Sequence, residues 1–182
     1  MVNFNGTIVK ETDLLSINNR GYNYGDALFE TIKILEGKIL FWEDHYFRLM
    51  ASMRIMRMDI PMNFTMEFLE NQIFKTLDAN ILRDSSSRVK LLVHRNEGGL
   101  YLPATNSINF LITVKSLDYS LYQIKEEGYE VDLFKDYFIA PGLLSTLKTN
   151  NKALHVIGSI YAQENNLQNC LLLNTDKQVI EA

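Results

Sequence analysis

Hydrophobic and polar positions alternate with a period of two in several segments of the chain. The clearest runs are "ALFETIKIL" and "RVKLLVHR", in which apolar side chains recur at about every second position. This period is typical of strands that are buried on one face. Asn5-Gly6, Glu36-Gly37 and Thr175-Asp176-Lys177 each stand between short apolar runs and predict hairpin turns. Further strands are predicted at "SINFLITVK", "YEVDLF", "NCLLLN" and "QVIE".

Three other segments repeat their apolar side chains at helical spacing. Asp44 is expected to cap a helix that ends near Met58, and Thr65 is expected to cap a second helix. A third helix is expected to follow the segment "YFIAPGLLSTLKTNN". The positions expected to face inward are Tyr46, Leu49, Met50, Met53 and Met56, then Met66, Leu69, Ile73, Leu77 and Ile81, then Ala153, Leu154, Ile157, Ile160 and Tyr161.

This order of elements predicts an α+β fold with two domains. Strands, two helices and further strands over residues 1–117 predict a small N-terminal α/β domain. A linker is expected at 116–128. Residues 118–182 hold one predicted helix and three short strands, which is a small number of elements for a domain with its own core. We therefore expect the remainder of a second domain to lie outside this chain.

Composition narrows the functional classes. The 182 residues are 47% hydrophobic, which is enough for a packed core, and the net charge of −4 argues against a nucleic-acid partner. No apolar run approaches the roughly 20 residues that span a bilayer, and the N-terminus lacks the pattern of a signal peptide. The single cysteine, Cys170, is expected to be buried in a strand. These features predict a cytoplasmic protein with no membrane partner.

Few residues carry an obvious chemical motif. The three histidines are not spaced as metal ligands, "NEGGLY" is not a phosphate loop, and no nucleophile elbow is present. Arg48 follows His45 by three positions on a predicted helix, so it could bind a phosphate or be a solvated charge. Lys148 could be a surface charge or an amine in a dry pocket, where it would lose affinity for its proton and become nucleophilic. Glu181 could be a surface charge or point into a cleft.

Two long segments together are more specific. The first contains Arg20-Gly21, Tyr24-Gly25-Asp26, Phe29-Glu30 and the His45-x-x-Arg48-Leu49 motif. The second is "LKTNNKALHVIGSIYAQENNLQNCLLLNTDKQVIEA". In this order they resemble the class IV pyridoxal-phosphate aminotransferases, a family that includes branched-chain aminotransferase, D-amino-acid aminotransferase and aminodeoxychorismate lyase. The resemblance implies that 118–182 begins the larger cofactor-binding domain.

The resemblance also implies roles for single residues. Lys148 would form the Schiff base with pyridoxal 5'-phosphate and shuttle the substrate proton. Glu181 would hydrogen-bond the pyridine nitrogen, and Arg48 would bind the phosphate. Tyr24 and Phe29 could line the substrate pocket or pack in the core, and Asp26 is expected in a turn or cap. The protein is expected to be a homodimer that moves an amino group between an amino acid and a 2-oxo acid.

The chain departs from each subfamily. Leu100 and Leu102 stand where D-amino-acid aminotransferase has carboxylate-binding residues, Leu100 replaces an arginine of the lyase, and Ala153 replaces a tyrosine of branched-chain enzymes. Candidate cations for the substrate carboxylate are Arg88 and Lys90 on one strand face and Arg95 on the other. Aminodeoxychorismate lyase activity, with release of pyruvate and 4-aminobenzoate, and a non-catalytic remnant that serves as a dimerisation module remain alternatives.

Overall fold

The computed structural model describes residues 1–10, 16–118 and 126–182. Most of the predicted linker, at 119–125, lies outside the described residues. Contacts divide the chain into two compact units. The first is Met1–Leu121 together with Lys148–Asn150, and the second is Tyr122–Leu147 together with Asn151–Ala182. The sequence had assigned Lys148–Asn150 to the second domain, but the backbone of this tripeptide pairs within the first unit.

Among its described residues, the first unit contains six strands and three helices. In chain order they are β1 (Val2–Phe4), β2 (Thr7–Val9), α1 (Arg20–Tyr24), β3 (Ala27–Leu35), β4 (Lys38–Ile39), α2 (Trp42–Ile55), α3 (Met66–Ala79), β5 (Ser87–Arg95) and β6 (Ile108–Ser116). The strands form one antiparallel sheet in the order β2-β1-β6-β5-β3-β4. The hairpin turns predicted at Asn5-Gly6 and Glu36-Gly37 are confirmed.

One face of this sheet packs against α2 and α3. Alternation places apolar residues of β3, β5 and β6 on that face, where they meet apolar residues of the two helices. Each such side chain contributes about 1.5–3 kcal/mol when fully buried. The buried residues include Leu28, Ile32, Ile34, Leu49, Met53, Leu69, Ile73, Leu77, Val89, Leu91, Val93, Phe110 and Ile112. We call the opposite face, which carries Phe29, Thr31, Lys33, Arg88, Lys90, Leu92, Leu111, Thr113 and Lys115, the open face.

The boundaries of α2 and α3 differ in part from the prediction. Thr65 does cap α3, since its hydroxyl accepts a hydrogen bond from the Phe68 N–H. Asp44 does not cap α2, because the helix already begins at Trp42 and Asp44 lies in its first turn. A carboxylate there still stabilises the helix dipole. Ile81 does not face inward: it follows the end of α3 and is 92% exposed.

The second unit contains β7 (Val131–Ile139), a 3₁₀ turn (Leu143–Thr146), α4 (Ala153–Glu164), β8 (Asn169–Asn174) and β9 (Val179–Glu181). Strands β7 and β8 are parallel, and β8 and β9 form the predicted hairpin. Cys170 is buried here as expected, together with Phe134, Ala162 and Leu172. No helix within the described ranges is long and apolar enough to cross a membrane.

The inward face of α4 differs in part from the expected one, since Leu154 and Tyr161 pack against the core of the second unit as predicted. Ile157 and Ile160 are largely exposed, whereas Gly158 and Ala162 are buried. The reason is the close approach of the helix to β8. A Cβ atom on Gly158 would lie 2.9 Å from Cys170 Sγ. Small residues therefore line the contact, and the larger side chains of the helix lie beside it.

Candidate active site

Lys148 is attached to the edge of β3 by backbone pairing. The Phe29 N–H donates to the Lys148 carbonyl at 2.9 Å, and the Asn150 N–H donates to the Ala27 carbonyl at 3.1 Å. Strand β4 pairs only with the last two residues of β3, so the first residues of this edge would otherwise lack partners. The short segment 148–150 completes the edge. Its position is therefore determined by the sheet and not by the helix that follows it.

The Lys148 amine lies beside the open face. Its Nζ is 5.3 Å from the centroid of the Phe29 ring, and Lys90 Nζ is 4.9 Å from the same centroid. Both ammonium groups can therefore interact with the ring quadrupole. The pKa of Lys90 is lowered, chiefly because the amine is partly buried and also because Arg88 places a second positive charge nearby. Three of the predicted site residues thus lie together.

Arg48 is held by a buried carboxylate whose role the sequence analysis missed. Glu30 is 1% exposed and accepts hydrogen bonds from Arg48 Nε at 2.7 Å and Arg48 Nη2 at 2.5 Å. His45 Nδ1 lies 2.8 Å from the same carboxylate. The arginine side chain remains 46% exposed, and its Nη1 has no hydrogen-bond partner among the residues the structure describes. The guanidinium is therefore oriented and still has N–H groups to offer an anion.

The Glu30 carboxylate stays ionised although it is buried. Burial by itself would raise the pKa of Glu30, but hydrogen bonds from Arg48 and His45, with their positive charges, outweigh it and lower the pKa. The hydrogen bonds to Glu30 also raise the pKa of Arg48. A signal for this pair was present in the sequence. Glu30 occupies a core-facing position between Leu28 and Ile32, where a carboxylate requires a cation.

Glu181 belongs to the second unit and is bound there by side chains near the start of α4. Its Oε2 lies 2.6 Å from His155 Nε2, and its Oε1 lies 4.0 Å from Lys152 Nζ. The carboxylate is 45% exposed. No role was predicted for His155 or Lys152 from the sequence. Their spacing of three residues, with Lys152 directly before α4 and His155 in its first turn, is the signal that could have paired them.

Arg95 has a structural environment that differs from that of Arg88 and Lys90. Its Nε donates to Asp26 Oδ2 at 2.9 Å, and its other nitrogens donate to Asn106 and to the carbonyls of Met56 and Arg57. The side chain is buried. Its donors are therefore used to join β5 to the end of α2.

Asp26 joins Arg95 to a second buried arginine. Arg20 Nε donates to the same Asp26 oxygen at 2.9 Å, and Arg20 Nη1 donates to the carbonyls of Gly98 and Leu100. This arrangement positions the loop at 96–105. Asp26 was expected in a turn or cap, and the pairing of its carboxylate with two arginines was not predicted.

Tyr24 stands at the edge of this arrangement. Arg20 stacks on its ring at 4.8 Å from the centroid, and the ring of Tyr101 lies 5.8 Å away. Tyr24 is 42% exposed, and Leu100 and Leu102 of the loop are almost fully exposed. Among the predicted site residues, Tyr24 is therefore associated with the loop, whereas Phe29 and Lys90 are associated with Lys148.

Comparisons with known proteins agree on one family. The family model described as amino-transferase class IV matches residues 27–182. The chain is 30% identical over 103 residues to D-alanine aminotransferase of Bacillus licheniformis, covering 56% of this chain and 31% of that protein. It is 23% identical over 167 residues to aminodeoxychorismate lyase of Vibrio harveyi, covering 91% of this chain and 59% of that protein.

A solved structure extends the comparison to the fold. Branched-chain aminotransferase from Thermoproteus uzoniensis, solved with norvaline, superposes with a TM-score of 0.81 at 19% identity. The match covers 99% of this chain and 61% of that one. The chain thus spans about a third to three fifths of the length of these proteins, and the predicted α+β fold is confirmed.

Proposed function

Since this chain belongs to the class IV aminotransferase family, we propose that it acts as a pyridoxal-phosphate-dependent aminotransferase, moving an amino group between an amino acid and a 2-oxo acid. Class IV aminotransferases use pyridoxal 5'-phosphate. The observation that carries the proposal is the Lys148 amine, which lies beside Phe29 on a backbone segment paired to β3.

The side chains present are of the chemical types that this cofactor requires. Lys148 supplies a half-buried primary amine, which an aldehyde requires. Arg48 supplies an oriented guanidinium with exposed N–H groups for a phosphate. Glu181 supplies a carboxylate for a ring nitrogen, and His155 holds that carboxylate. When bound, pyridoxal 5'-phosphate supplies an aldehyde that condenses with amines and a ring that withdraws electrons.

Each of these side chains has a defined task in the proposal. Lys148 Nζ anchors the cofactor and, once released, removes the α-proton of the substrate and returns a proton from the same atom. Glu181 would accept a hydrogen bond from the ring nitrogen. Arg48 holds the phosphate, and Glu30 keeps its guanidinium in one orientation. Phe29, Tyr24, Arg88 and Lys90 are proposed to contact the substrate.

Chemical reduction tests the assignment of Lys148. The purified chain is incubated with pyridoxal 5'-phosphate, treated with borohydride, digested and examined by peptide mass spectrometry. We expect the pyridoxyl mass on the peptide that contains Lys148. Lys148→Arg should abolish this label, whereas Lys75→Arg, a matched change on α3, should retain it. A label spread evenly over many lysines, or its persistence in Lys148→Arg, would refute the assignment.

A second candidate activity is that of aminodeoxychorismate lyase, because the lyase of Vibrio harveyi matches 91% of this chain. An assay with 2-oxoglutarate and a panel of L- and D-amino acids, run beside aminodeoxychorismate, separates the two. Turnover of amino acids supports the aminotransferase, and release of pyruvate from aminodeoxychorismate alone supports the lyase.

A non-catalytic dimerisation module is the third alternative. It predicts no label on Lys148 and no turnover of either substrate class, together with a dimer by analytical ultracentrifugation. The homodimeric state remains a prediction of the family resemblance, and the cytoplasmic location remains a prediction from the composition of the sequence. Sedimentation of the purified chain tests the first, and fractionation of the source cells tests the second.

A further inference from the structure

A cavity of about 470 Å³ lies in the first unit, between α2 and the turn that precedes α3. This volume is within the usual range of small-molecule pockets, about 300–1,000 Å³. One wall is a face of α2, on which the lining residues recur at spacings of three and four, and the other is the segment 60–65. The first wall is formed mainly by Phe47, Met50 and Arg54, and the second by Ile60, Met62 and Phe64.

The second wall is fixed to α2 and to the sheet. The Phe64 N–H donates to the Pro61 carbonyl at 2.9 Å, and the Tyr46 hydroxyl of α2 donates to the Phe64 carbonyl at 3.2 Å. The Phe64 ring is buried, with its centroid 5.5 Å from that of Phe110 in β6. The cavity is therefore preformed, and a ligand would not have to order the turn when it binds.

The rim of the cavity is apolar and open to water. Phe47 on the helix wall is 60% exposed, and Met62 on the turn wall is fully exposed. A single exposed apolar side chain is ordinary, but these two belong to the two walls of one cavity. Methionine adapts its shape to a ligand, and its sulfur makes favourable contacts with aromatic rings. A ligand with an aromatic or branched apolar body would remove this surface from water.

Arg54 gives the cavity its charge. Of the residues that line the cavity, all of which the structure describes, Arg54 alone is charged. Its side chain makes no hydrogen bond or ion pair with any described residue. A guanidinium can donate two parallel hydrogen bonds to a carboxylate. One cation beside an apolar surface is complementary to a ligand with one negative charge.

We propose that this cavity binds a small monocarboxylate with an aromatic or branched apolar body. The carboxylate pairs with Arg54, and the body packs between Phe47 and Met62. The site is separate from the candidate active site, because α2 and α3 cover one face of the sheet and the Lys148 amine lies beside the other. The inference therefore goes beyond the proposed aminotransferase activity and does not depend on it.

Two-dimensional ¹H–¹⁵N NMR titration of the purified chain tests the site. The probes are 3-phenylpropionate, 3-phenylpropylamine, which has the same body and the opposite charge, and acetate, which has the charge without the body. Arg54→Gln removes the cation, and Phe47→Ser removes part of the apolar wall. Arg57→Gln, a matched change outside the cavity, is the control for charge, and Arg88→Gln is the control for the open face. The spectra also verify that each variant folds.

We expect 3-phenylpropionate to shift the amide signals of the segment 60–65 and of the last two turns of α2 in a saturable manner. The amine and acetate should not. Arg54→Gln should weaken the binding by about 10-fold or more, as expected for the loss of a charge-assisted hydrogen bond. Phe47→Ser should weaken it by about threefold or more through lost apolar contact. The variants Arg57→Gln and Arg88→Gln should retain the affinity of the wild type.

Several outcomes would overturn the proposal. These are absence of saturable shifts, equal affinity for the amine, and unchanged affinity in Arg54→Gln. Shifts that disappear in Arg88→Gln would assign the carboxylate to the open face instead. Self-association of the wild type that Phe47→Ser abolishes, measured by sedimentation, would assign the cavity to a second copy of the chain. A chain that acquires no pyridoxyl label on Lys148 but binds 3-phenylpropionate through Arg54 would refute the proposed function and leave this inference standing.

Discussion

Glu30 holds Arg48 by two parallel hydrogen bonds, of 2.7 Å to Nε and 2.5 Å to Nη2. The carboxylate is buried and the arginine is half exposed. In an isolated strand Glu30 would interrupt an apolar face, and on an isolated helix Arg48 would be a solvated charge. Their pairing explains how the sheet accepts a carboxylate among core residues and how α2 presents a guanidinium in one orientation.

Removal of Arg48 should destabilise the first unit. In Arg48→Met the Glu30 carboxylate stays buried with only His45 beside it. We expect the free energy of unfolding to fall by about 1–3 kcal/mol, the range for a buried polar group that loses its partner. Urea denaturation followed by circular dichroism measures the change. Arg54→Met, an exposed arginine on the same helix, is the control and should change stability by less than about 0.5 kcal/mol. Equal effects of the two substitutions would contradict the pairing.

Acid should weaken the same interaction. The pKa of Glu30 is lowered below its ordinary value of 4.5, so the folded state binds the proton less readily than the unfolded state does. The contribution of Glu30 to stability is complete above pH 4.5 and disappears as the pH falls through the lowered pKa. Urea midpoints of the wild type and of Glu30→Gln, compared from pH 7 downward, should differ by a constant amount above this range and converge below it. A difference between the two urea midpoints that widens on acidification would contradict the lowered pKa of Glu30.

Asp26 should be among the most sensitive positions of the chain. In Asp26→Asn two buried arginines, Arg20 and Arg95, lose the charge that compensates them. We expect a loss of about 3–5 kcal/mol in the free energy of unfolding, together with faster proteolysis in the loop at 96–105. Denaturation and limited proteolysis measure the two effects. Asp78→Asn, which breaks the exposed pair with Arg83, should cost less than about 1 kcal/mol.

Gly158 tests the contact between α4 and β8. Alanine is normally the better helix former, but a Cβ atom here would lie 2.9 Å from Cys170 Sγ and 3.0 Å from Leu172 Cδ2. We expect Gly158→Ala to destabilise the second unit by about 1–3 kcal/mol through overpacking. Cys170→Ala should relieve part of this loss, so a double-mutant cycle should give a non-zero coupling energy. A stabilised Gly158→Ala variant would contradict the close approach.

Local patterns in the sequence were sufficient to predict where most of the strands and helices lie. Alternation in "ALFETIKIL" and "RVKLLVHR" predicted β3 and β5, and Thr65 predicted the start of α3 through its capping hydroxyl. The paired motifs around Arg48 and Lys148 were sufficient to recognise the family. Each of these signals depends on residues that are neighbours along the chain, which is why the sequence alone contains them.

Pairings between distant residues were determined only by the tertiary structure. Examples are the contacts of Asp26 with two arginines, the cross-strand pairs of Arg88 with Lys33 and with Lys115, and the pairing of the Lys148 backbone with the edge of β3. All of them depend on strand register and on packing. Register joins residues that are tens of positions apart, and no local period encodes it. The sequence therefore determined which elements form and to which family they belong, and the fold decided which charges meet.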